Sequence, residues 1–255
     1  MIITLTTDFG LRDSFVGTMK GVILGIAPTV KIVDLTHGIA AGDIRGGAFA
    51  LMTAAPFFPA GTIHVAVVDP GVGSPRKAVA IRNRRAIFIG PDNGVLSWAV
   101  KDENPLEIRC VENPSFFLPQ MSNTFHGRDL FAPTAAWLAA NRGFSELGPE
   151  LADFHRMNWP KPVRVQQGWK TEVVHVDIYG NSITAFPAAG VQGGQSVLLP
   201  GGMRIAFEPF YAAAPRGHAL AIIGSSGFVE IAINQGDAAS ELSLRPGTEA
   251  TIVQE

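Results

Sequence analysis

What most narrows the folds open to this chain is a change of rhythm near residue 159. Before it, short β-branched runs bounded by Gly, Pro or Asp alternate with helical stretches. The runs are IITLT (2–6), VKIVDL (30–35), TIHVAVV (62–68), AVAIRN (78–83), AIFIG (86–90) and LEIRCV (106–111). Helices are predicted from Asp13 or Ser14, natural N-caps, to Ala27, from Asp43 to about Ala55, and from about Asp129 to Asn141. Pro28, Pro56 and Gly143 stop them. This alternation predicts an α/β domain with a mainly parallel sheet, and the continuous apolar strands fit a sheet covered on both faces.

At WPKPVR (159–164) two prolines in three residues stiffen the chain, and 159–166 reads as a linker between an α/β domain over 1–158 and a second domain over 167–255. Beyond it, TEVVHVDI, NSITAF, SVLLP, MRIAF, ALAIIG, FVEIAI and ATIVQ are separated by turn signals, with no strong helix. That spacing predicts a smaller all-β unit, a barrel or a sandwich.

Totals exclude several classes of function. Formal charge is −2 with no basic run, so the footprint of a nucleic-acid binder is missing. The single cysteine, Cys110, can form neither an internal disulfide nor a thiolate metal cluster, which suits a reducing compartment. No apolar stretch reaches the ~18 residues of a membrane span. MIITLTTDFG runs straight into a strand without a basic leader, so no signal peptide and a cytoplasmic location are expected.

Candidate chemistry gathers in the loops. In TTDFG, Asp8 follows the first strand, where ligands of parallel sheets collect; its carboxylate suits either a ribose diol or an Asx-turn. VVDPGVGSPR (67–76) sets Asp69 and Arg76 at the ends of a turn-rich loop, and NTFHGRD (123–129) offers His126 as a third group. PDNG (91–94) reads most simply as a turn, with contact to a ligand as the alternative. No G-x-G-x-x-G follows the first strand and no G-x-x-x-x-G-K-[ST] occurs, which removes support for phosphate-cradling folds. In the second half, VDIYGNSIT carries Asp177, Tyr179 and Asn181, and GSSGFVEIAIN carries Ser225, Ser226 and Glu230. Tight hairpins explain both, and such groups would equally suit a planar base.

As a set, TTDFG, VVDPGVGSPR, PDNG, NTFHGRDLFAP, VDIYGNSIT and SSGFVEIAINQG resemble the S-adenosylmethionine (SAM) hydroxide adenosyltransferases, relatives of the fluorinase and chlorinase. The resemblance covers nearly the whole chain in order. It implies an α/β domain, a C-terminal β-barrel, and a homotrimer whose active sites lie between one subunit's first domain and its neighbour's second. It implies hydrolysis of SAM to adenosine and methionine, with SAM as substrate and no cofactor or metal; the alternatives are chlorinase-like halide transfer and non-catalytic binding of SAM or adenosine. Asp69, Arg76 and His126 match the catalytic set, and Asp8 the holder of the ribose hydroxyls. Asn181, Ser225, Glu230 and the backbone near Ile233 match positions for adenosine or methionine, while Asp13 and Ser225 match positions near the amino-acid end. Phe125 and Tyr179 match aromatic neighbours of the substrate, as does Tyr211 across a loop of different length.

Departures from the halogenases are informative. They carry tyrosines where this chain has Asp69 and His126; the fluorinase also has a tryptophan at Gly42, a serine at Gly127 and an extra loop between Asn83 and Ala86. Under this resemblance His126 would take a proton from water, while Arg76 stabilises the developing hydroxide and Asp69 orients Arg76 or the water.

Overall fold

The computed structural model describes residues 1–100 and 106–254. It forms two compact units, residues 1–157 and 158–255.

In the first unit the chain runs β1 (Ile2–Thr7), α1 (Phe15–Ile26), β2 (Lys31–Thr36), α2 (Ile44–Ala54), β3 (Thr62–Val67), β4 (Ala78–Arg82), β5 (Ala86–Pro91), β6 (Glu107–Cys110) and α3 (Ala132–Ala139). The sheet order is β2-β1-β3-β5-β4-β6. Strands β2, β1, β3 and β5 are parallel, whereas β4 pairs antiparallel with both β5 and β6. The exception follows from loop length. Only Asn83, Arg84 and Arg85 separate β4 from β5, too few for the crossover that a parallel pair needs. Asn83 Oδ1 closes that hairpin by accepting the Arg85 and Ala86 amides at 2.9 and 2.8 Å.

Alternate residues of β3 serve two apolar layers, because successive strand side chains point to opposite faces. Ile63, Val65 and Val67 pack with Met19 and Ile23 of α1 and with Ala132, Ala135 and Ala136 of α3. Ala66 and Val68 pack with Leu51 of α2 and with Val95 and Phe88. Both faces are thus covered, as the unbroken apolar run requires.

Helix α2 begins as its sequence predicts, with Asp43 Oδ1 accepting the Gly46 amide at 2.9 Å. Two helix starts differ from expectation. Ser14 holds the N-cap position of α1 but makes no side-chain capping bond. The third helix opens earlier, with a π-type turn over Gly127–Phe131 before α3. Pro133 has no N–H to give the Asp129 carbonyl, and the Leu118 amide bonds that oxygen instead at 2.9 Å.

In the second unit follow β7 (Val163–Val165), β8 (Gly168–Val176), β9 (Ser182–Pro187), β10 (Gln195–Leu198), β11 (Arg204–Ala206), β12 (Ala219–Ile223), β13 (Phe228–Ile233), the single-turn helix α4 (Ala238–Glu241) and β14 (Glu249–Gln254). They form one antiparallel sheet in the order β11-β10-β14-β8-β9-β13-β12, with β7 paired to β8. The sheet curls until its ends meet, since the Glu208 amide bonds the Ala221 carbonyl at 2.8 Å just beyond β11. The result is the barrel-like closure that the resemblance implied. Part of the expected linker is strand, because residues 163–165 pair with β8. Among the described residues no helix is long and apolar enough to cross a membrane.

Candidate functional site

Strand β3 ends at the carboxyl edge of its parallel neighbours, and Asp69 comes two residues later. The loop that follows folds back on itself: the Val72 amide bonds the Asp69 carbonyl at 3.2 Å, and Ser74 Oγ donates to the Gly71 carbonyl at 2.6 Å. This return sets Arg76 beside Asp69, with Nε 3.0 Å from both carboxylate oxygens and Nη2 donating to Oδ2. Arg76 Nη2 also lies 2.7 Å from His126 Nδ1. The guanidinium rests over the Phe131 ring, 5.4 Å from its centroid.

His126 is presented by a braced turn. The fully buried Asp129 accepts the Ser122 amide at 2.8 Å and Arg128 Nε at 2.5 Å. Burial alone would raise the Asp129 carboxyl, but Arg128 and Ser122 outweigh it and hold the group below its ordinary range. Gly73 lets the two loops meet. It sits at φ +78°, and a Cβ there would stand 2.4 Å from the Asn123 carbonyl oxygen.

The contact between Arg76 and His126 fixes the state of the imidazole. A guanidinium has no lone pair to offer, so Nδ1 accepts the bond and the ring of a neutral His126 carries its proton on Nε2. Burial, and then the Arg76 charge, lower the His126 pKa and favour that neutral form. In this arrangement no lone pair of His126 is left to take a proton from water. For His126 to act as the proton acceptor, the Arg76 contact would have to open first. Among the described residues Asp69 Oδ1 accepts the Nε proton of Arg76 and no other, which leaves it lone pairs in reserve.

A cavity of about 490 Å³ opens on this group, with Asp8, Phe9, Phe15, Gly42, Asp69 and His126 among its walls. Asp8 Oδ2 accepts the Gly42 amide at 2.8 Å, a contact across 34 residues rather than a local Asx-turn. Phe9, Phe15 and Phe125 meet edge to face, with centroids 5.1–5.9 Å apart. Asp8, Asp69, Arg76, Phe125 and His126 are therefore brought together. Asp13 is not: it is exposed and outside the cavity lining. Asn93 of PDNG acts as a brace, its Nδ2 donating to the Val68 carbonyl at 2.8 Å.

In the second unit Asp177 organises its own hairpin, accepting the Tyr179 and Asn181 amides at 2.9 Å and Asn181 Nδ2 at 3.0 Å. Tyr211 Oη donates to the buried Glu230 carboxylate. Burial, with Asp177 adding to it, raises the Glu230 pKa, while the Tyr211 bond opposes the rise. Burial and Glu230 also push the Tyr211 phenol up. Tyr179 stands out at 74% exposure. Ser225 is exposed at the tip of the β12–β13 hairpin, and Ile233 is buried at the end of β13, its carbonyl taken by the Gly236 amide.

Sequence reasoning singled out neither Phe9 nor Phe15. Both flank residues that it did choose, and an aromatic beside a loop carboxylate was the available signal.

A parallel-sheet unit ending on a linked carboxylate, guanidinium and imidazole, followed by a closed antiparallel unit, defines a two-domain class with an enzyme-like cavity in the first part. The sequence matches the SAM hydroxide adenosyltransferase N-terminal domain over residues 3–148 and the C-terminal domain over 171–251, and the chain belongs to that family. It is 38% identical to an (R)-S-adenosyl-L-methionine hydrolase of Salinispora arenicola, the alignment covering 98% of this chain and 97% of that one. A fluorinase of an Actinoplanes species is 28% identical, with 99% of this chain and 97% of that protein covered. The crystal structure of an uncharacterised conserved protein from Thermotoga maritima superposes with a TM-score of 0.93 at 35% identity, over 100% of both chains.

Proposed function

We propose that this protein hydrolyses S-adenosylmethionine to adenosine and methionine. The observation that carries the reading is the hydrogen-bonded chain Asp69–Arg76–His126, whose two ends line a cavity, in a relative of (R)-SAM hydrolases.

Water attacks C5′ in line with the C5′–S bond. As that bond breaks, its electron pair goes to sulfur and methionine departs as a neutral thioether. No general acid, metal or cofactor is needed on the leaving side. Water is the weak partner, and three residues share its activation. The Arg76 guanidinium stabilises negative charge that develops on the attacking oxygen. His126 holds Arg76 in place by accepting its N–H. Asp69 receives the proton as the C–O bond forms and returns it to solvent. Opposite charges merge when an incipient hydroxide meets a sulfonium, so a dry, aromatic-walled cavity favours the transition state over the separated charges.

Asp8 binds the ribose hydroxyls, and Phe125 packs on the substrate. Ser225 binds the amino-acid end. Asp177, Tyr179, Asn181, Tyr211, Glu230 and the backbone at Ile233 bind the adenosine. The enzyme works as a homotrimer, one subunit's cavity facing the adenosine-binding residues of the next; light scattering would give the mass of three chains. Buried, unpaired Cys110 supports a cytoplasmic setting.

The test is chromatography of products after incubation with each sulfonium epimer, in low and in high chloride. Adenosine is expected, with the (R) epimer preferred as the relatives' name suggests. No adenosine above the uncatalysed background would end the reading. Fluorinase relatives raise halide transfer as a second reading, which a 5′-chloro product would support and which the Asp69 charge opposes by repelling the anion.

A further inference from the structure

Some buried polar groups in the first unit have no part in that reaction. His37, 4% exposed, follows the carboxyl end of β2. Its Nε2 lies 3.0 Å from Asp34 Oδ1, and Asp34 Oδ2 accepts Lys20 Nζ at 2.6 Å. Its Nδ1 lies 2.8 Å from Oγ1 of the fully buried Thr7. That oxygen accepts the Phe9 amide at 3.2 Å, and the His37 carbonyl accepts the Gly10 amide at 2.8 Å.

Donor directions follow from elementary bonding. A carboxylate can only accept, so the neutral ring carries its proton on Nε2, facing Asp34, and Nδ1 accepts the Thr7 hydroxyl proton. Phe9 N–H therefore points to Thr7 and Thr7 O–H to His37, while Nε2 stands near the Asp34 carboxylate without a hydrogen bond to it. The contacts of this one histidine lie on both sides of Asp8: Thr7 before it, Gly10 after it.

We propose that His37 is a positioning residue for Asp8, clamping residues 7–10 so that the carboxylate meets the sugar hydroxyls of the substrate. The assignment rests on the SAM reading for its ligand. A purely structural histidine needs no such link, as His64 illustrates: its Nδ1 bonds Thr4 in mid-strand.

Thr7→Val removes the hydroxyl and keeps the shape, while Thr7→Ser returns the hydroxyl. Thr7→Val is expected to raise KM for SAM, and Kd for adenosine by calorimetry, about tenfold or more, because the buried His37 acceptor and the half-buried Phe9 donor lose their partner together. kcat should fall by less than KM rises, and Thr7→Ser should restore both. In an Asp8→Asn background the same change should cost about twofold or less, since the charged contact is already gone. An unchanged Kd in Thr7→Val, or an equal loss in both backgrounds, overturns the proposal. If Thr7→Val does not fold, His37→Ala against His37→Asn, whose amide oxygen replaces Nδ1, makes the same comparison. Should the wild-type protein neither bind adenosine nor consume SAM, the hydrolase reading is what fails. The clamp is then judged by hydrogen exchange at the Phe9 and Gly10 amides: faster exchange in His37→Ala supports it, and unchanged exchange overturns it.

Discussion

Replacing His126 by asparagine separates two jobs that an imidazole can perform. Asparagine Oδ1 occupies nearly the place of Nδ1 and can accept the Arg76 N–H now made at 2.7 Å, yet it cannot take a proton. If the histidine serves to hold Arg76, then His126→Ala removes one hydrogen bond to a charged group, about 1.5–3 kcal/mol or roughly 10–150-fold in kcat/KM. His126→Asn should recover most of it and stay within about tenfold of wild type. If the histidine were the base, both variants would lose about 10²–10⁴-fold. Adenosine release measured from pH 5 to 9 adds a second criterion. Protonation of Nδ1 would turn an N–H against the guanidinium, so wild-type activity should fall as pH drops through the lowered His126 pKa, below its ordinary 6.5. The asparagine variant should hold its rate further into acid. An asparagine enzyme as impaired as the alanine enzyme would refute the account.

Burial holds the His64 imidazole at about 4 against an ordinary 6.5. Its neutral folded form therefore contributes stability that is complete above pH 6.5 and falls away towards pH 4, by about 3 kcal/mol in all. Urea unfolding at pH 7.5 and 4.5 should show this slope in the wild type and lose it in His64→Leu; an identical slope in both would refute it. Tyr211→Phe removes the bond that opposes the rise of the Glu230 pKa, so the pH below which adenosine binding weakens should move upward. Calorimetric titration between pH 4 and 8 reads that shift, and a profile unmoved by the substitution counts against a role for Glu230.

Strands were legible because their signal is local. TIHVAVV, AIFIG and FVEIAI are apolar runs with abrupt turn residues at their ends, and each became a strand within a residue or two. Pairing direction was harder to read, since it depends on whether the intervening chain can cross the sheet, and the short gap after Arg82 reversed β4. The extra strand β7 escaped because two prolines mask it and its partner lies across a tight turn. At the site, family resemblance linked Asp69, Arg76 and His126 where spacing alone could not: 50 residues separate the last two, and their loops meet through the Arg76–His126 contact and the packing of Gly73 on Asn123. The proton arrangement of the imidazole was beyond any sequence, because it is set by which nitrogen faces the guanidinium. His37 was overlooked for a related reason, since a histidine two residues after an apolar run gives no hint that its partner is a threonine at the end of another strand.

The close seat of Gly73 has a consequence for anyone who would move this chemistry to a new scaffold. Two segments distant along the polypeptide interlock there with no room for a methyl group, so neither can be transplanted as a cassette. A graft that copied the aspartate and arginine but left the facing turn behind would carry the charges without the third partner that aims them.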